Sequence, residues 1–188
     1  MNAKLMLTTA DLGVYSLDFL EDECMSEIPE LVPVQLRAAA LDDAPAMTRL
    51  LEGDTALALQ TATMPIPYNI EAAHCFLRTA DLQSIFSIVV KNELVGMIGI
   101  IPSPEPVEIG YWIGRMHWGQ GYASEAIGLL LQEARRRGIT RLAAEVFPDN
   151  LASMRVLQKN GFVNLGKVQR HLPQRGGSRY LIRFQREL

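Results

Sequence analysis

The chain has 188 residues, of which 48% are hydrophobic and 21% charged, and a formal net charge of −3. That length supports one well-filled core rather than two ordinary domains, and that composition excludes wholesale disorder. The longest unbroken apolar run, residues 94–101, falls far short of the roughly 20 residues a membrane-spanning helix needs. The opening residues carry no apolar stretch of signal-peptide length, so a cytoplasmic protein is expected. Two cysteines, Cys24 and Cys75, cannot build a disulfide framework or a four-ligand zinc site. His74, His117 and His171 have no ligand-like spacing to other donors, so no metal is expected.

Charge is unevenly placed. Residues 1–35 hold one Lys and seven acids, and residues 36–114 hold four basic residues and nine acids. Residues 115–188 hold thirteen basic residues and five acids, a local excess of +8. Such a block fits either a solvated basic face or a surface that meets an anion.

In chain order, residues 1–33 read as an acidic N-terminal appendage and residues 34–188 as the main domain. Residues 32–39 have strand character. Asp42 or Asp43 then serves as the cap of a helix with Pro45 in its first turn, ending before Gly53. Met64, Pro65, Ile66 and Pro67 break the chain, and Asn69 caps a second helix over 70–82. Residues 84–90 and 94–101 read as a hairpin turned by Lys91, Asn92 and Glu93. Pro102, Pro104 and Pro106 close that unit, and 107–113 is a further strand.

Residues 121–137 carry Ala123, Ala126, Ile127, Leu130, Leu131 and Ala134 at the spacing of an amphipathic helix that stops at Gly138. A strand over 141–147, a helix over 151–160 stopped by Gly161, and two more strands to Arg186 complete the chain. This pattern predicts an α/β (α+β) single-domain fold, a mixed central sheet of about six to seven strands flanked by helices.

The most informative stretch runs from Ile109 to Ala126, where a strand enters a short loop that opens a long helix. Gly119 and Gly121 allow close backbone approach, and the helix start offers unpaired N–H groups and a positive dipole end. A pyrophosphate fits that position. A Gly-x-Gly pair also serves plain turns, however, and the spacing matches neither the dinucleotide nor the Walker pattern.

Taken with Asn150, Ser153 and the helix to Phe162, the stretch 109–126 resembles the GNAT superfamily of acetyl-CoA-dependent N-acetyltransferases. The similarity is closest to its RimJ/RimL-type branch, whose members acetylate N-terminal α-amino groups of ribosomal proteins. Leu36 to Ala44 also looks like that family's first strand and helix. The family's loop falls on Trp118, Gly119, Gln120, Gly121, Tyr122 and Ala123, with Trp in a slot the wider superfamily fills with Gln or Arg. The resemblance implies that N–H groups from Gly119 to Ser124 hold the CoA pyrophosphate, and that Tyr111, Trp112 and Ile113 line the pantetheine arm. It also implies a contact from Asn150 to that arm and one from Ser153 to the sulfur.

Many superfamily members place a tyrosine acid seven residues after this Asn; here Leu157 stands there. Ser153 or water is expected to replace it. Glu145, at an offset where some N-terminal acetyltransferases of the superfamily carry their base, is the expected proton acceptor, with Glu108 in reserve. His117 reads as a loop histidine, and Cys75, beside Phe76 and Leu77, as a core residue. No Gly-x-Ser-x-Gly elbow is present, so direct attack of the amine on acetyl-CoA is expected.

The expected acceptor is a protein N-terminal α-amino group of the ribosomal-protein type; the alternatives are a small amine such as an amino acid, polyamine or antibiotic, or a non-catalytic CoA-binding or ribosome-associated module. Neither nucleic acid nor membrane is expected as a direct partner, and a homodimer is allowed. The acceptor pocket falls to residues 53–82, 102–106 and 172–179, with 173–177 a mobile lip. Arg170, Arg175 and Arg179 would suit an acceptor with an acidic or neutral tail.

Overall fold

The computed structural model describes residues 33–103 and 106–188. The acidic opening segment and Cys24 lie outside the described residues. The strands are β1 (Gln35–Ala38), β2 (Ile85–Val90), β3 (Glu93–Ile101), β4 (Val107–Ile113), β5 (Arg141–Val146), β6 (Val163–Leu172) and β7 (Gly177–Glu187). The helices are α1 (Ala44–Leu51), α2 (Thr55–Leu59), α3 (Ile70–Thr79), α4 (Tyr122–Arg136) and α5 (Leu151–Lys159). Among the described residues no helix is long and apolar enough to cross a membrane.

One seven-stranded sheet runs in the order β1-β2-β3-β4-β5-β7-β6. Every neighbouring pair is antiparallel except β4 and β5, which run parallel. That parallel ladder comprises only Val107 opposite Leu142 and Glu108 opposite Ala143. Beyond those two pairs the strands separate, and a wedge opens toward their C-terminal ends. Parallel strands need a long crossover, and α4 supplies it here.

Side chains alternate across the sheet and divide the core in two. On one face, Ala126, Ile127, Leu130, Leu131 and Ala134 of α4 pack with Ile98, Ile109, Leu142 and Phe184. On the other, Met47 and Leu51 of α1, Leu57 of α2 and Leu77 of α3 pack with Met97, and Trp112 lies against them. The helical spacing expected for residues 121–137 is therefore the contact stripe of α4.

Asn69 caps α3 as expected, accepting from the Ala72 N–H at 2.9 Å, and Asn150 caps α5, accepting from the Ser153 N–H at 3.0 Å. Three details differ from the sequence reading. α3 stops at Thr79 rather than 82, because Asp81 diverts the chain into a turn by accepting from the Gln83 N–H and the Ser84 hydroxyl. Cys75 is exposed, since the buried stripe of α3 falls on Ala73 and Leu77 and places position 75 out of phase. α2 was not anticipated; its five residues are too few to show periodicity, and it depends on Asp54, which accepts from the Leu57 N–H at 2.9 Å.

Asp43 makes no side-chain cap for α1. Its carboxylate instead reaches back to the Ala40 N–H and across to the Ser87 hydroxyl and the Arg37 guanidinium. Burial alone would raise this carboxyl, but the Arg37, Ala40 and Ser87 donors together hold it below its ordinary value of 3.8. A lowered acid contributes stability above its unfolded pKa and loses it as pH falls through the folded value. Asp43→Asn should cost about 1–3 kcal/mol at pH 7. Urea titrations should show that gap narrowing below pH 3.8; a pH-independent gap would mean the ionised carboxylate adds nothing.

Candidate active site

Four pieces of chain meet at the wide end of the wedge: the end of β4, the loop before α4, the end of β5 and the first turn of α5. Gly121 starts α4 at φ +83° and Gly119 precedes it at φ +76°, both in the left-handed region that favours glycine. The first helical donor is Ser124, bonded to the Gly121 carbonyl at 2.9 Å. The N–H groups of residues 119–123 therefore precede the helical ladder at the positive end of the dipole. A Cβ on Gly119 would meet nothing within 4 Å, and one on Gly121 only the Glu125 carboxylate at 3.9 Å. The loop is thus an open cradle of donors, the geometry a pyrophosphate needs. The CoA expected from the resemblance fits it.

The strand edge feeding this cradle is also available. The Gly114 N–H bonds Val95 of β3, so by alternation the main-chain groups of Tyr111 and Ile113 face the wedge. Trp118 fills part of that edge, since its indole N–H donates to the Ile113 carbonyl at 2.7 Å. The Arg115 guanidinium lies over the Trp118 ring at 4.9 Å and pairs with both carboxylate oxygens of Asp54 at 2.8 Å. Tryptophan in this slot therefore locks the turn between strand and cradle. Tyr122 donates to the Gln120 side chain at 2.7 Å, and Ser124 accepts from Asn160 at 3.0 Å, which ties the start of α4 to the end of α5.

The two faces of the wedge differ in chemistry. On the α4–α5 side, the Tyr111 phenol lies 2.6 Å from the Ser153 hydroxyl. Burial pushes that phenol up to about 12, so it is held neutral. Leu157, at the position where many superfamily members carry a tyrosine, is fully buried in the core. Tyr111 had been expected only as a lining residue. Its link to Ser153 joins positions 42 apart and was not legible in the sequence.

On the opposite face, Glu108 of β4 and Glu145 of β5 project together. Both oxygens of Glu145 already accept from guanidinium groups, Arg170 at 2.9 and 2.5 Å and Arg183 at 2.7 Å. Glu108 is less committed, with Arg183 at 3.5 Å. Burial first, and the Glu145 charge second, push its carboxyl above the ordinary value of 4.5. Of the two expected carboxylates, the reserve residue keeps the freer oxygens. His117 lies in the short turn Arg115–His117, outside this pair of faces.

Two other expectations change. Arg175 is 8% exposed, with its guanidinium buried among main-chain carbonyls, so it is not a surface charge for an acidic acceptor. The lip it belongs to is consequently pinned. Arg170 is likewise engaged by Glu145.

The cradle yields a direct test. Gly121→Val should lower CoA affinity at least tenfold, because a β-branched residue is strained at this φ and its side chain would stand among the donors. Calorimetric titration of the folded variant reads the loss; an unchanged affinity would remove CoA from this loop.

Comparison with known proteins agrees with this geometry. The model of the acetyltransferase (GNAT) domain matches residues 34–163. An uncharacterized N-acetyltransferase of Bacillus subtilis, YoaA, is 39% identical over 89 residues, covering 45% of this chain and 50% of its own. The ribosomal-protein-serine acetyltransferase of Escherichia coli is 35% identical over 83 residues, covering 42% and 46%. In these alignments the chain spans about half the length of the curated relatives it matches. Among solved structures, RimL, a ribosomal L7/L12 α-N-protein acetyltransferase in complex with CoA, superposes with a TM-score of 0.73 at 26% identity, covering 86% of this chain and 97% of that one. A Salmonella typhimurium acetyltransferase that modifies the N-terminal serine of L7/L12 gives 0.72 at 25% identity, over 86% and 98%. With its wedge, its glycine cradle and a family match over more than half its length, the chain belongs to the GNAT acetyltransferase family.

Proposed function

We propose that this protein transfers the acetyl group of acetyl-CoA to a primary amine, and that the amine is the α-amino group of a protein N-terminus. The observation that carries the reading is the parallel pair that parts after two residues beside a cradle of helix-start donors. The cradle takes the pyrophosphate, and the wedge takes the pantetheine arm against the exposed edge of β4, as an added strand. The acceptor class rests on similarity to RimL and to the Salmonella enzyme that modifies an N-terminal serine.

The two faces then divide the work. An α-amino group has a pKa of about 7.7–8.0, so it needs only a modest base before it attacks the thioester carbon. Glu108, raised above the ordinary carboxylate value, takes that proton directly or through water on one face. As the new C–N bond forms and the C–S bond breaks, the sulfur departs as a thiolate on the Tyr111–Ser153 side. A phenol near 12 is too weak to protonate a thiolate of about 8.5 fully. The pair therefore donates a hydrogen bond, with Tyr111 holding the Ser153 hydroxyl. Glu145, fixed by two arginines, positions Arg183 against Glu108.

Thiol release from acetyl-CoA should appear with peptides that begin with serine and be weak with free amino acids and polyamines. The reverse preference would reassign the acceptor to small amines. With a productive acceptor, Glu108→Gln should lower turnover about 10²–10⁴-fold. The wild-type kcat/KM should fall at acid pH through a value above 4.5, and the Gln variant should lose that limb, keeping only amine ionisation. Ser153→Ala should cost about 10- to 100-fold, the worth of one hydrogen bond to a charged group. A Glu108→Gln enzyme with a normal pH profile would return the base role to Glu145 or solvent.

A further inference from the structure

Arg175 stands at the tip of the β6–β7 hairpin, in the short turn Pro173–Arg175. β7 pairs with β5 from Glu187 opposite Arg141 to Ile182 opposite Val146, so its first residues run past the end of β5. The tip therefore projects at the wide end of the wedge, on the β5–β7 side. There the Arg175 guanidinium donates to its neighbour Gln174 and to three carbonyls of the 58–64 stretch, Ala58 and Met64 at 2.7 Å and Thr61 at 2.8 Å. These lie at the end of α2 and just after it, where a helix C-terminus favours a cation.

The other end of the same stretch is held from the β4 side. Asp54, the cap of α2, takes the bidentate pair from Arg115, two residues past the end of β4. Residues 54–64 thus run from one arm of the wedge to the other, with an arginine at each end. Leu57 and Ala58 are buried beneath, which keeps the stretch on the α1–α3 side, the face of Glu108 and Glu145.

We propose that residues 54–64 form a strap across the acceptor side of the wedge, and that Arg175 is the positioning residue that sets its height over the carboxylates. This rests on the acetyltransfer reading, and it assigns Arg175 to the acceptor, not to CoA, whose cradle lies on the α4 side. A planar guanidinium reaches three carbonyls from fixed directions; a lysine ammonium, a single point of charge, cannot hold all three. When the pin is lost the strap lifts, and the acceptor amine is held less well while acetyl-CoA still binds.

The test uses the full chain with Arg175→Lys and Arg175→Ala, and with Asp54→Ser, which keeps a capping oxygen for α2 but removes the ion pair. Amide exchange should quicken in residues 56–64 and 173–177 of the Arg175 variants and stay unchanged in 119–126. For a peptide beginning with serine, KM should rise at least tenfold with Arg175→Ala and less with Arg175→Lys. Asp54→Ser should move KM in the same direction. In the two Arg175 variants, turnover at saturating peptide and calorimetric CoA affinity should stay within about twofold of wild type. Faster exchange with an unchanged peptide KM, or a CoA affinity that falls with it, would overturn the proposal. If the wild-type protein ignores the peptide, the acceptor assignment has failed, and exchange alone decides the strap. Quickening confined to the two segments then sustains it, and quickening spread into β4 or α4 overturns it.

Discussion

The structure turns on a parting of two strands. β4 and β5 share two residue pairs and then separate, leaving main-chain groups of β4 without a ladder on that side. An open strand edge inside a sheet carries unpaired donors and acceptors, a cost that a ligand able to pair with them relieves. Everything else at the site is arranged around that gap. α4 begins at its mouth, Trp118 closes one carbonyl of the edge, and α5 sends Ser153 across to Tyr111. Without the parting, Glu108 and the Tyr111–Ser153 pair would be separated by a continuous sheet.

Electrostatics reinforce the same asymmetry. Part of the basic excess after residue 114 is taken up by arginines with partners. Arg115 goes to Asp54, Arg136 and Arg137 to Glu133, Arg170 and Arg183 to Glu145, and Arg175 to carbonyls. What the cradle itself presents is backbone N–H groups at the positive end of the α4 dipole. On the other face of the sheet, Glu108 and Glu145 both lie near Arg183, and burial, with the Glu145 charge second, raises the Glu108 carboxyl.

Much of this is legible in the sequence. The helix period of 121–137, the caps Asn69 and Asn150, and the glycines at 119 and 121 are local signals, and each lies where its chemistry predicts. The hidden features are those made by contacts between distant positions. Nothing near Tyr111 in sequence announces Ser153, and nothing near Arg175 announces Ala58 or Met64. Residue type alone also misleads there. An arginine in a glycine-flanked turn reads as surface charge until the carbonyls around it are seen, and a cysteine beside Phe76 and Leu77 reads as core until the helix phase is known. Glu145 was the preferred base because of its offset from Asn150, yet its commitment to Arg170 and Arg183 depends on strand order β5-β7-β6.

The central claim is that CoA lies in the cradle and along the open edge of β4. Amide hydrogen exchange with and without CoA tests it most directly, because it reads individual segments and needs no acceptor. Protection should appear at residues 119–124 and at the wedge-facing positions Tyr111 and Ile113, with β1 and β2 unchanged. Protection that appears elsewhere, or that leaves residues 111–124 exchanging as in the free protein, would contradict it.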